Sequence, residues 1–225
     1  MDMKVIGHVY TCYGEKFGVP RQPGLVKEAW GELVFEPEFQ KPEALRALEG
    51  FSHLWLVFLF HQSIRTKWKP TVRPPRLGGN ERIGVFASRS PFRPNPIGLS
   101  AVMLEQVDLE HSSGPVLRLS GVDLVDGTPI LDIKPYIPYA DAITDAVGGY
   151  VNGAPSVLEV EWKEGVVGDI DSSEKALIEA TLSADPRPAY QYQDEGREYG
   201  CLISGYNVRW RVADERVLVI SCTRS

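Results

Sequence analysis

The sequence predicts a mainly β protein: a small antiparallel, barrel-like N-terminal domain followed by a small α+β C-terminal domain. Three observations carry that expectation. Six or seven short runs of β-branched, aromatic and apolar residues lie between residues 3 and 133, separated by turn-forming Gly, Pro, Asn and Asp. Only one helical pattern interrupts them, so no helix alternates with the strands as a doubly wound fold requires. The chain also lacks Gly-x-Gly-x-x-Gly and any strand–glycine loop–helix unit, which removes the common nucleotide-binding architecture. Near residues 142–155 the composition turns to Ala, Gly, Asn and Pro, marking a boundary between a domain at 1–145 and another at 155–225.

Residues 3–10 alternate Val5, Gly7 and Val9 with Lys4, Ile6 and His8, a weak strand pattern because apolar residues fall on both faces. The loop 11–26 carries Gly14, Gly18, Pro20, Pro23 and Gly24, and can bring backbone close to a ligand without side-chain obstruction. Residues 30–36 read as a second strand. Residues 42–49 read as a short helix, with Pro42 near the first turn, Ala44, Leu45, Ala47 and Leu48 at helical spacing and Gly50 past the end. Residues 54–60, apolar throughout, predict a strand buried on both faces, bracketed by His53 and His61. Runs 83–86, 97–107 and 116–125 are β in character, with His111-Ser112-Ser113-Gly114 as a hairpin turn. Asp126-Gly127 turns tightly into a strand at 130–133. Beyond the boundary, 157–162 is strand-like, and Asp171-x-x-Glu174 boxes the start of a helix running to about Leu182. Runs 200–204, 206–213 and 216–222 close a three-stranded sheet. Arg209 and Arg211 alternate with Val208, Trp210 and Val212 and share a face, open either to solvent or to RNA.

Composition is that of a water-soluble globular protein, 43% hydrophobic and 24% charged over 225 residues. The longest apolar run, 54–60, is about a third of a bilayer span. The N-terminus does not read as a signal peptide, so a cytoplasmic address is expected. Cys12, Cys201 and Cys222 are few and scattered, with no Cys-x-x-Cys pair for zinc or redox work, and no metal is expected. The net charge of −6 is uneven: residues 61–100 hold eight cations against Glu81 alone, a local +7 that leaves −13 elsewhere. Such a basic segment in an acidic protein is the footprint of a phosphate partner or a solvated basic loop, and Trp68 within it offers a stacking surface for a base.

The chemistry concentrates between residues 83 and 141. Pro91, Pro94 and Pro96 fix φ and remove backbone donors, so Arg89, Arg93 and Asn95 sit on a stiff, extended connection between strands. Arginines, an asparagine and tyrosines on a rigid frame, with Asp123, Asp126, Asp132 and Asp141 close by in sequence, are groups that orient a small ligand in a pre-formed site. Asp132, Lys134 and Tyr136 fall on one face if their segment is extended. Asp132 and Lys134 then form either a catalytic pair or an ion pair that holds the loop.

Arg89-Ser90-Pro91-Phe92-Arg93-Pro94-Asn95-Pro96-Ile97-Gly98, Asp123-Leu124-Val125-Asp126-Gly127-Thr128 and Asp132-Ile133-Lys134-Pro135-Tyr136 resemble the signature of the TsaA-like family, called TrmO in bacteria. The resemblance extends through Pro20-Arg21-Gln22-Pro23-Gly24, Phe51-Ser52-His53-Leu54-Trp55, Phe60-His61-Gln62, Pro74-Pro75-Arg76-Leu77-Gly78-Gly79-Asn80, Asp185-Pro186-Arg187-Pro188-Ala189-Tyr190 and Asn207-Val208-Arg209-Trp210. It implies an S-adenosylmethionine-dependent enzyme that methylates N6 of threonylcarbamoyladenosine next to the tRNA anticodon, working as a homodimer.

The resemblance also implies cofactor contacts from Gln22, Pro23, Gly24, His61, Gln62, Arg89, Leu99, Asp123, Leu124, Val125 and Asp126. Arg89 suits the cofactor carboxylate, because a guanidinium pairs with it bidentately, and Asp123 or Asp126 suits ribose hydroxyls. Methyl transfer from a sulfonium is a one-step displacement, so alignment is the main task. The attacking nitrogen carries a urea-like carbonyl and keeps its proton at neutral pH, so a base or an oxyanion stabiliser helps. Asp132 and Asp141 are the candidate bases, Lys134 the stabiliser of the carbamoyl oxygen and Tyr136 an orienting donor. Candidate RNA contacts are Arg65, Lys67, Trp68, Arg73, Arg76, Arg82, Arg93, Arg209 and Arg211. A second reading is a non-catalytic module that senses S-adenosylmethionine or a related nucleoside. A hydrolase with paired aspartates ranks below both, lacking a metal cluster or nucleophile elbow.

Overall fold

The structure, a computed structural model, describes residues 2–225 except Asn152, Ala189, Tyr190, Gln193 and Glu195. The last two residues of the motif 185–190 therefore lie outside the described residues. Six strands close an antiparallel barrel in the order β1 (Gly7–Thr11), β2 (Trp30–Phe35), β7 (Val116–Ser120), β6 (Ile97–Asp108), β3 (His53–Leu59) and β8 (Thr128–Pro135). Between β3 and β6 the chain makes a basic arm, whose two-residue strands β4 (Thr71–Val72) and β5 (Ile83–Gly84) pair with each other. A four-residue helix α1 (Pro138–Asp141) follows β8.

The second unit is a four-stranded sheet, β10 (Glu198–Ile203), β11 (Tyr206–Ala213), β12 (Arg216–Arg224) and β9 (Glu159–Trp162), carrying helix α2 (Ser172–Ser183). Its fourth strand corrects the expected three. β9 joins parallel to β12 because the chain crosses over through α2, and a parallel partner from upstream leaves no hairpin signal to read.

The barrel core alternates as period-2 strands require. Leu54, Leu56 and Phe58 of β3 point inward with Val9, Leu33, Val102, Leu117, Leu119 and Ile130, while Trp55, Val57 and Leu59 face out, half-buried. The strand expected to be buried on both faces is thus buried on one, its outer apolar residues lying on the barrel's outside. Gly98 pairs with Phe58, whose ring occupies the space a β-carbon would take.

Other expectations are corrected locally. Residues 42–49 are no α-helix but two 3₁₀ turns, Pro42–Leu45 and Leu48–Gly50, because Ala47 between them takes a left-handed φ of 66°. The run 116–125 stops as a strand at Ser120, where Gly121 turns with φ 69°. Residues 83–86 give only a two-residue strand and a 3₁₀ turn. Asp171 caps α2, accepting from Ser173 N at 2.8 Å, but Glu174 closes no box: its carboxylate accepts from Ser204 Oγ at 3.0 Å. One continuous apolar core joins both units, Tyr13 and Val26 of the first packing with Leu177, Ile178, Ile203 and Trp210 of the second.

Candidate active site

Strand register puts the candidate cofactor residues at one end of the barrel. β1 and β3 run out to this mouth, at Thr11 and Leu59, while β6 and β8 begin there at Ile97 and Thr128. The loops that leave those strand ends carry Gln22 to Gly24, His61 and Gln62, Arg89, and Asp123 to Asp126. Residues 11–13 zip onto 124–126: Thr11 Oγ1 donates to Leu124 O at 2.9 Å, Thr11 N to Asp126 Oδ1 at 2.8 Å and Asp126 N to Tyr13 O at 2.8 Å. That fixes the Asp123–Asp126 turn against β1. It also spends one oxygen of Asp126 on the backbone and places the Leu124 side chain in the core, while Val125 O accepts from Thr128 Oγ1 at 2.5 Å.

Arg89 and Gln22 meet directly, a guanidinium N–H donating to the amide oxygen. Gly24 N donates to Gly121 O at 2.9 Å. Asp123, on the loop between β7 and β8, accepts from Ser100 Oγ at 2.6 Å. Loss of solvent pushes its carboxyl up to about 6, with the Ser100 hydrogen bond and the Arg89 charge acting the other way. His61 opens a 3₁₀ turn after β3, and its imidazole is held below its ordinary value by burial and by the Lys16 and His8 charges, against a hydrogen bond to Leu59. Lys16 itself donates to Gln62 O at 2.6 Å and Ser63 Oγ at 3.3 Å. The mouth therefore presents a cation, a partly buried carboxyl, a neutral imidazole and an amide.

The candidate catalytic residues lie apart from that group, on the barrel's outer face. Asp132 and Lys134 both face out from β8 and pair with each other at 3.2 Å. Tyr136 packs on Trp55, with ring centroids 5.6 Å apart, and Asp141 Oδ2 accepts from Ile137 N at 2.7 Å at the start of α1. Leu99 stands with this outer set: Leu99, Val57 and Asp132 form one cross-strand row on this face, two strand spacings or roughly 10 Å across.

Of the RNA candidates, Arg93 braces its own loop, donating to Ser88 O at 2.7 Å. Arg65 lies over the Phe92 ring at 3.7 Å, and Trp68 stands beside Phe86 with ring centroids 6.2 Å apart; Phe86 is 74% exposed. Among the described residues, Arg65, Lys67, Arg73, Arg76 and Arg82 form no ion pair, although Arg76 donates to Gly153 O at 2.8 Å. Arg209 and Arg211 differ, both pairing with Glu198, at 2.5 and 3.4 Å. One carboxylate thus offsets part of the charge that the two arginines bring to this face.

The residues missed by sequence reasoning are Ser100, Lys16 and Arg21. Ser100 sits two positions past Gly98 in the motif, and its near-total burial on the inner face is what draws it to Asp123. Two concavities, about 400 and 370 Å³, open over the Pro42–Leu45 turn and beside Gly200 and Arg209. Neither is lined by a candidate cofactor residue. Among the described residues no His, Cys, Asp and Glu cluster could hold a metal, and no helix is long and apolar enough to cross a membrane.

Comparison with known proteins covers both units. Residues 8–142 match the family model described as the tRNA-methyltransferase O N-terminal domain, and residues 155–225 match the TrmO C-terminal domain. A tRNA (adenine(37)-N6)-methyltransferase of Escherichia coli K12 is 49% identical over 217 residues, 93% of this chain and 92% of that one. A Pseudomonas aeruginosa protein described as a putative S-adenosylmethionine-dependent methyltransferase is 47% identical, over 91% of this chain and 90% of its own. A crystal structure of TrmO from Pseudomonas aeruginosa superposes with a TM-score of 0.81 at 39% identity, covering 100% of this chain and 97% of that one.

Proposed function

The chain belongs to the tRNA-methyltransferase O family, and on that premise we propose that it is an S-adenosylmethionine-dependent tRNA methyltransferase. Its acceptor is N6 of adenosine 37, next to the anticodon, in the threonylcarbamoylated form. The observation that carries this reading is the match along nearly the whole chain to the Escherichia coli tRNA (adenine(37)-N6)-methyltransferase. The same proposal treats 1–145 as the methyltransferase domain and 155–225 as a distinct C-terminal domain.

The donor set at the mouth suits a sulfonium nucleoside that carries an amino acid. When bound, S-adenosylmethionine supplies the methyl group. Arg89, steadied by Gln22, binds its carboxylate; Asp123, ionised above about pH 6, accepts from hydroxyl groups; His61, held neutral, adds no charge against the sulfonium. Gln62, Asp126 and the backbone of 22–24 and 124–125 complete the cofactor contacts. Leu99 lies on the outer face, where Asp132 takes the N6 proton, Lys134 stabilises the carbamoyl oxygen, Tyr136 orients it and Asp141 is the alternative base.

The cations of the basic arm, which form no ion pair among the described residues, meet the tRNA backbone, with Trp68 beside them to stack on a base. Two copies associate through the outer face of β3, β6 and β8, where Leu99 and Met103 are 55% and 42% exposed. A cytoplasmic address fits such a substrate.

The test is transfer of labelled methyl from S-adenosylmethionine to tRNA with and without the threonylcarbamoyl group. Label is expected in the modified tRNA only, and label in neither removes the assignment. Arg89→Ala is expected to weaken cofactor binding about tenfold to a hundredfold by calorimetry, the range for loss of a charge-assisted bond.

A further inference from the structure

We propose that the C-terminal unit is a positioning part of the cofactor site, acting through the strap 12–24, and that Arg21 is the positioning residue that fixes the strap's far end. The inference rests on the cofactor reading of Gln22, Pro23 and Gly24.

After β1 the strap lies along β10, whose only strand partner among the described residues is β11. Tyr13 bridges to Ile203, Ser204 N donates to Cys12 O at 2.7 Å and Leu202 N donates to Glu15 Oε1 at 2.9 Å. The strap so covers an edge whose N–H groups need partners. Tyr13 is fully buried, its hydroxyl 3.1 Å from Thr181 Oγ1 on α2. Phe17 stacks on Trp210, with centroids 5.8 Å apart and planes 9° from parallel. Gly18 takes φ +104°, and a β-carbon there would meet Cys201 Sγ at 3.2 Å, so the close approach needs glycine.

At the strap's end Arg21 donates to Arg187 O at 2.5 Å, to Asp185 O at 3.4 Å and to Tyr192 OH at 3.2 Å. The receiving segment is itself fixed. Arg187, 5% exposed, pairs bidentately with Asp185 at 2.8 and 3.0 Å, and its guanidinium lies 5.2 Å from the Tyr192 ring and 6.0 Å from that of Tyr199.

Other strap side chains face the mouth. Lys16 reaches Gln62 and Ser63, and Gln22 meets Arg89. Only Gln22 and Pro23 separate Arg21, tied to the C-terminal unit, from Gly24, tied to Gly121. Two residues held at both ends lose little freedom when a ligand arrives, whereas a loose loop must be ordered at the expense of affinity. The second unit therefore serves the cofactor site without touching the cofactor.

The experiment is steady-state kinetics of the full chain with Arg21→Ala and Arg21→Lys, varying S-adenosylmethionine and tRNA separately. Arg21 is exposed, so the fold survives its loss. The expected result for Arg21→Ala is a cofactor KM raised about tenfold with kcat and the tRNA KM within about twofold, because uniform binding is lost and not transition-state stabilisation. Arg21→Lys recovers most of it, since an ammonium still donates to the two carbonyls. An unchanged cofactor KM overturns the proposal. So does a loss spread over kcat and both KM values that lysine does not repair. Wild-type protein that binds no cofactor in calorimetry overturns the cofactor reading itself; wild-type binding with an unaffected variant overturns only the positioning role.

Discussion

At the scale of single residues, Asp123 combines opposing influences that a pH experiment separates. Its carboxyl, ordinarily near 3.8, is pushed up to about 6 by desolvation although Ser100 and Arg89 both favour the ionised form. The folded protein thus holds a proton there that the unfolded chain releases. Stability from this group is full below about pH 4 and is lost as pH rises through 6, by roughly 2 to 3 kcal/mol if the whole shift is realised. Asp123→Asn keeps an acceptor for Ser100 and removes the titration. Cofactor-free Asp123→Asn is expected to melt several degrees higher than wild type at pH 7.5 and to match it at pH 4. Equal melting at both values means Asp123 is ionised as easily folded as unfolded. That Asp123 lies on a turn of the candidate site was legible, since it stood in a motif, but Ser100 was not: a serine in an apolar run reads as strand filler until its inward face is known.

At the scale of elements, the two arginine-bearing surfaces separate by their partners. The arm between β3 and β6 carries Arg73, Arg76 and Arg82 with no carboxylate against them among the described residues, whereas Arg209 and Arg211 are both tied to Glu198. Free cations release counterions when phosphate binds, and paired ones must first break a bond. Replacing Arg73, Arg76 and Arg82 with Gln should lower the slope of log affinity against log salt for an anticodon stem-loop by about 2, and Arg209→Gln with Arg211→Gln should leave it within about 0.5 of wild type. The reverse pattern, measured by filter binding across several salt concentrations, moves the RNA surface to β11. The arm's charge was readable from composition, and so was the shared face of Arg209 and Arg211. Their pairing was not, because Glu198 stands on β10 and reaches them only through the sheet register.

At the scale of the whole molecule, the closed barrel was legible because several short β-type runs are separated by turn residues, and the scarcity of helices left no other way to hide the edges. What escaped was long-range: the parallel entry of β9, the strap on β10, and the fact that the apolar strand β3 has an outer face as well as an inner one. That outer face leads to the last prediction. Leu99 and Met103 stand out from β6 beside Val57 and His53 of β3, and Phe51, 38% exposed, lies just ahead of Ser52, whose carbonyl accepts from Leu104 N at 2.9 Å. Apolar groups on adjacent strands in open water invite a partner of the same kind, and a twofold contact needs only one such patch. Met103→Glu puts a charge at its centre without touching the barrel interior. Sedimentation velocity is expected to give wild type a mass near twice 25.0 kDa and the variant a mass near 25.0 kDa. Because Leu99 lies in the row that runs to Asp132, the separated variant is also expected to lose methyl transfer while keeping its melting temperature. A variant that still sediments as wild type places the subunit contact on another face, and a wild type that sediments at 25.0 kDa across micromolar concentrations leaves the barrel to act alone.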